Sequence, residues 1–217
     1  MNKTMIAVFD NKAQAKQAVE ALFDSGFSHS EVSLMSNNTT DPESLDPYRH
    51  PGGAAMADEM STVHGDQLSD HAAVKGVAAG GVLGGLAGLL LGLGTMVVPG
   101  VGPVVAAGPI ATMLVGAAGG AAIGGIVGAL IEMGVPEDDA HVYSEALRRG
   151  GTMVAVTGPE SKVETVTDIF RRFHPIDVKE RSQTWTSEGW GRFDDRREPL
   201  TNEDIATERT RYSTAVR

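Results

Sequence analysis

GVAAGGVLGGLAGLLLGLGTMVV from Gly76 to Val98, PGVGP from Pro99 to Pro103, and PIATMLVGAAGGAAIGGIVGALI from Pro109 to Ile131 decide how the chain is read. The 56 residues from Gly76 to Ile131 contain no Asp, Glu, Lys or Arg, and 17 of them are glycine. Proline and glycine at the density of Pro99, Gly100, Gly102 and Pro103 mark a hairpin turn, so the stretch divides into two arms, 76–98 and 109–131. As a helix, either arm would be ~34 Å long, enough for the ~30 Å hydrocarbon core of a bilayer. Gly80, Gly84, Gly88 and Gly92 recur every four residues in the first arm, and Gly116, Gly120, Gly124 and Gly128 do so in the second. That spacing stacks the glycines near one helix face, where a partner helix can approach backbone to backbone. In water each such glycine costs up to ~1 kcal/mol relative to alanine, so eight of them need either tight packing or lipid. These eight are the candidate helix-packing residues, and Pro99, Gly100, Gly102 and Pro103 the candidate turn.

Outside the hairpin the chain reads as two halves of a sheet domain. Thr4–Phe9 is a strand apolar on both faces, hence central. Asp10 or Asn11 caps a helix whose stripe is Ala15, Ala18, Val19, Leu22 and Phe23, and Gly26 stops it in the left-handed conformation with Phe27 folding back. Val32 and Leu34, flanking Ser33, predict a shorter, half-exposed strand. After the hairpin, Pro136 with Glu137, Asp138 and Asp139 opens a helix that carries Tyr143, Ala146 and Leu147 and closes at Arg148, Arg149 and Gly150. Thr152–Thr157 is a second strongly apolar strand. Val163, Val166, Phe170 and Phe173 mark another helix, ended by His174 and Pro175, and Ile176 and Val178 predict a last, half-exposed strand. Without the extra helix at 136–149, the order is βαββαβ, that of the ferredoxin-like fold, whose first and third strands are central. The expected fold class is therefore α+β, a ferredoxin-like (split βαβ) sheet domain interrupted by a glycine-zipper α-helical hairpin. The divisions are 1–35, first half of the sheet domain; 36–72, polar flexible linker with a weak helix near 54–60; 73–134, hairpin; 135–182, second half; and 183–217, a disordered polar tail with a short helix near 202–211.

Composition bounds the chemistry. The 217 residues carry 18 Lys plus Arg against 28 Asp plus Glu, a net charge of −10, which argues against a nucleic-acid partner. With no cysteine there is no disulfide scaffold, thiol nucleophile or zinc–thiolate site. Glycine is enriched, 27 residues, against a usual ~7%. The first nine residues do not read as a signal peptide, lacking an apolar run and a cleavage site.

Catalytic motifs are missing. No glycine-rich loop carries the lysine of a phosphate-binding loop, no G-x-S-x-G elbow occurs, and the G-x-G pairs lie inside apolar arms rather than at a strand–helix junction. His29, His50, His64, His71, His141 and His174 include no pair three or four apart, so no helix face offers two to a metal. His50, His64 and His71 share the linker with Asp58, Asp66 and Asp70, where scattered groups are ordinarily solvated. Glu137–Asp139 suit a helix start, and Arg148–Arg149 and Arg171–Arg172 suit helix ends or anionic lipid. Trp185, Trp190 and Phe193 dock on the sheet domain, rest at a membrane interface or belong to a recognition tail. No catalytic residue, metal or cofactor is expected.

Ala7-Val8-Phe9-Asp10, the alanine-rich helix, the glycine-zipper centre with Pro99–Pro103, Gly134-Val135-Pro136-Glu137, the helix bearing Tyr143, Arg148-Arg149-Gly150-Gly151 and Val154-Ala155-Val156 together resemble the bacterial general stress protein 17M-like family, also described as heat-induced or low-temperature-induced stress proteins. The resemblance covers about residues 4–35 and 73–180. It implies a stress-associated role in bacteria without enzymatic activity, and supplies no catalytic residues. The leading expectation is a bacterial cytoplasmic-membrane protein whose hairpin inserts in lipid and self-associates into a homo-oligomer, while the α/β domain faces the cytoplasm. The alternative is a soluble oligomeric regulatory or small-ligand-binding module with the hairpin as oligomer core.

Overall fold

The computed structural model describes residues 2–37, 94–116 and 125–213. Within them the fold is mixed α+β, with one five-stranded antiparallel sheet and seven α-helices. In chain order the elements are β1 (Asn2–Phe9), α1 (Lys12–Asp24), β2 (Val32–Asn37), β3 (Gly94–Val98), β4 (Gly102–Ala107), α2 (Pro109–Gly116), α3 (Gly125–Glu132), α4 (Glu137–Arg148), β5 (Thr152–Pro159), α5 (Val163–Arg172), α6 (Val178–Ser187) and α7 (Asn202–Ser213). The strand order is β1-β5-β2-β4-β3. The linker beyond Asn37, the first arm up to Leu93, and Gly80, Gly84, Gly88, Gly92, Gly120 and Gly124 lie outside the described residues.

Local chemistry sets the first crossover. The Asn11 side chain accepts from the Ala13 amide at 2.8 Å and caps α1. Ala15, Ala18, Val19 and Leu22 face inward. Gly26 takes φ +84°, and the Phe27 amide returns to the Leu22 carbonyl, closing the helix. The chain then enters β2, and β5 inserts between β1 and β2, antiparallel to both. The β1–β5 ladder runs from Asn2 opposite Pro159 to Phe9 opposite Thr152.

Alternation along the strands feeds two cores, one on each sheet face. Phe9, Leu34, Val154 and Val156 meet α1 and α5 through Val19, Leu22, Val166 and Phe170. Val8, Met35, Val104 and Met153 meet the opposite layer through Ile110, Ile126, Leu130 and Leu147. Both α2 and α4 rest on β2, and α3 packs between those helices.

The described residues correct several expectations. β1 is not central but lies at an edge, paired only with β5. The strand expected at 176–179 does not form: its Ile176 amide donates to the Val8 carbonyl at 2.8 Å, and the Asp177 side chain then caps α6 by accepting from the Glu180 amide at 2.9 Å. A short polar side chain that can satisfy a helix N-terminus diverts the chain after one ladder bond. β2 is not half-exposed but buried throughout, because β3 and β4 extend the sheet across its far side.

The described ends of the two arms depart from a pair of long helices. The end of the first arm, Gly94–Val98, is strand rather than helix, and Pro99–Val101 turns it into β4. Val97, Val98, Val104 and Val105 are β-branched and suit the pleat. Gly100 and Gly102 supply the positive φ of the turn, +74° and +99°. The described part of the second arm forms two helices of eight residues each, α2 and α3. An eight-residue helix rises only ~12 Å. Among the described residues no helix is long and apolar enough to cross a membrane. The inserted hairpin, the lipid partner and the membrane location are therefore withdrawn.

The segment after 182 also differs from a disordered tail. α6 extends to Ser187, α7 follows at 202–213, and Trp185, Trp190 and Phe193 are buried in the core that holds Val8 and Leu147.

Candidate functional site

Among the described residues no strand pairs with the outer side of β1, and an open groove of about 580 Å³ runs along this sheet edge. Its floor is the strand itself, Thr4 to Val8. Because the Val8 carbonyl points away from β5 to Ile176, the two-residue period aims the amides and carbonyls of Ile6 and Thr4 the same way. Tyr143 of α4 and Phe170 of α5 form the walls, and Arg171, Asp177 and Lys179 reach the rim. The Thr4 hydroxyl is held by the Met133 carbonyl and by Thr157 Oγ1 at 3.0 Å, which fixes one end of the floor. Burial, aided by Asp139, pushes the Tyr143 phenol above its ordinary pKa, so it stays a neutral hydroxyl in the groove wall. Both the volume and the apolar walls with few polar groups fit a binding site.

A second polar constellation lies where α4 ends. Glu145, only 1% exposed in its side chain, accepts from Arg149 Nε at 2.7 Å and Arg148 Nη1 at 3.3 Å. Arg149 Nη1 also donates to Glu208 of α7 at 2.7 Å, and Trp185 Nε1 donates to the same oxygen at 2.9 Å. The Arg149 guanidinium lies 4.7 Å from the centre of the Trp185 ring. Burial works against its charge, but hydrogen bonds and attraction from Glu208 and Glu145 hold its pKa above the ordinary value. Asp10 grips Arg181 with both oxygens, at 2.7 and 2.5 Å, and Arg181 stacks on Tyr212. The space left among Asp10, Arg149, Arg181 and Arg209 is about 10 Å³, on the order of one water. The arrangement pairs nearly every charge and fastens α6 and α7 to the sheet.

The sequence-derived candidates fall in different places. Pro99 and Gly100 lie in the β3–β4 turn, with the backbone of Asp194 and Asp195 packed close to Gly100, and Gly102 and Pro103 begin β4 opposite Val98 and Val97. Gly116 ends α2 and Gly128 lies within α3. His29 stacks on Phe23 with ring centres 4.5 Å apart. His141 lies near Glu137, and His174 adopts φ 52°. His50, His64 and His71 are outside the described residues. Among the described residues no cluster of three His, Cys, Asp or Glu is placed to hold a metal. Arg148 and Arg149 do not serve as exposed helix-end charges but as partners of Glu145 and Glu208. Sequence reasoning missed Glu145, whose spacing of three and four from Arg148 and Arg149 is a legible helix signal. It also missed Asp10–Arg181 and Arg149–Glu208, which are joined only by the fold.

No family model, no curated protein and no solved structure matches this chain.

Proposed function

We propose that the chain is a non-enzymatic binding and regulatory module whose ligand or partner occupies the groove along β1. One observation carries this reading: the edge of β1, with the outward amides and carbonyls of Thr4 and Ile6, forms the floor of a groove of about 580 Å³ with apolar walls. Sheet edges of this kind are usually blunted or covered, because exposed ladder groups recruit other chains. The connectivity of β1, α1, β2, β5 and α5 supports a ferredoxin-like unit that lacks its last strand, and the groove is the position of that strand. Fold alone carries no function; the groove's own geometry does. The pairing of charges around Glu145 favours a structural role for them. The resemblance to the general stress protein 17M-like family gives the module its proposed setting, a bacterial stress response.

Amide NMR of the full chain against a panel of small anions and extended peptides tests the reading. Shifts centred on Thr4, Ile6 and Val8 are expected. Binding centred on Arg149 and Glu208, with the β1 amides unmoved, would overturn it.

A further inference from the structure

Resting on the groove as the binding site, we infer that its occupant is an extended acidic peptide that adds to β1 as the missing strand. The geometry gives it a ladder: the outward amides and carbonyls of Thr4 and Ile6 offer two donors and two acceptors in one row, the requirement for strand addition. Val8 is already engaged at its carbonyl by Ile176, so the added strand registers on Thr4 and Ile6 and stops before Val8. Tyr143 and Phe170 stand on opposite sides of the sheet edge, so alternate side chains of the incoming strand meet an aromatic wall on either face.

Charge selects the chemistry. Lys179 and Arg171 rim the groove. Among the described residues Lys179 has no ion-pair partner, and the Arg171 contact to Asp168 is a long 3.6 Å between side chains 74% and 65% exposed. The Asp177 carboxylate at the same rim is engaged by the Glu180 amide. Arg171 and Lys179 outnumber Asp177 at the rim, a local excess of positive charge on a chain of net charge −10. It favours glutamate or aspartate on the incoming strand. A second copy of β1 is disfavoured, because it would bring its own Lys3 toward two cations.

The test titrates the full chain with a capped hexapeptide alternating valine and glutamate, followed by amide hydrogen exchange and NMR. The expected result is binding with slowed exchange at the Thr4 and Ile6 amides. N-methylation of alternate peptide amides should abolish binding. A valine–lysine version should bind about fivefold more weakly, the scale of an exposed ion pair. The variant R171E/K179E, both positions exposed, should reverse that preference while remaining folded. Binding that ignores peptide charge overturns the acidic occupant, and binding that leaves the Ile6 amide unprotected overturns strand addition; either leaves the groove reading standing. Protection of Ile6 in the protein alone that rises with protein concentration, the mark of self-pairing, overturns the peptide occupant and likewise leaves that reading standing. If neither peptides nor small anions move the groove amides, both readings fall.

Discussion

His141 lies on α4 with 16% of its side chain exposed, and its Nδ1 is buried without a hydrogen-bond partner among the described residues. Burial and the nearby Arg192 lower its pKa, outweighing Glu137, the Phe193 backbone and Asp138, which raise it. The unfolded chain, titrating near ~6.5, therefore binds more protons than the native one just below that pH. Stability from this residue is full above ~6.5 and is lost as pH falls through the lower native pKa. Thermal melts from about pH 7.5 to 5 should show a fall in Tm that His141→Gln flattens; an unchanged slope in the variant would refute the assignment. Gly108 is constrained by backbone instead. It holds φ +78°, and a Cβ there would collide with the Val32 carbonyl oxygen. Gly108→Ala should cost on the order of 1–3 kcal/mol, the scale of a strained residue held by its surroundings, measured by urea unfolding. Residue-level signals survived translation into structure unevenly. Asn11 and Gly26 act on their own helix and were legible from neighbours in the chain. Gly108 was not legible in this way, since its closest constraint is Val32, far away in sequence.

At the scale of elements, periodicity found what burial made periodic. α1 was legible because Ala15, Ala18, Val19 and Leu22 all face one core. β5 was legible because both its faces are covered. β2 misled, since Ser33 and Ser36 are polar yet buried: Ser33 accepts from the Ile110 amide at 3.2 Å, and Ser36 meets Thr152 at 3.0 Å. The C-terminal helix was visible as a short helix, but its docking was not. Its inward stripe is Ile205, Glu208, Arg209 and Tyr212, spaced as one helix face but with only one aliphatic side chain. Thr201 and Asp204 cap it reciprocally, the Asp204 carboxylate accepting from the Thr201 amide at 3.0 Å and the Thr201 hydroxyl accepting from the Asp204 amide at 3.2 Å. Ile205 is fully buried where a Gly150 side chain would stand. Ile205→Ala should therefore destabilise the protein by about 2–5 kcal/mol, the cost of a cavity in a packed core. Chemical denaturation of the full-length variant gives the number, and a loss under ~0.5 kcal/mol, typical of a surface site, would mean that α7 does not belong to the core.

The whole molecule joins distant parts of the chain through one sheet. β5 lies between β1 and β2, and β4 of the apolar middle completes the burial of β2. The apolar middle read as membrane helices because charge, length and glycine spacing are properties of composition, whereas the valines around Pro99–Pro103 reveal their role only when β2 presents an unpaired edge to β4. The core that contains Trp185, Trp190 and Phe193 also contains Val8, Val104, Leu147 and Met153, so early, middle and late segments share one set of contacts. Both tryptophans of the chain sit in that core, with ring centres 5.9 Å apart. Their fluorescence therefore reports the docking of the segment after α5, while far-UV circular dichroism reports helix and strand throughout. If the segment is an integral part of the fold, the two signals should give superimposable urea transitions with one midpoint, as in cooperative unfolding. Trp185→Phe should lower both midpoints together, since it removes the indole donor to Glu208 and shrinks the ring beneath Arg149. An early fluorescence transition, complete before circular dichroism begins to change, would instead make α6 and α7 a separately melting unit laid over a sheet domain that stands without them.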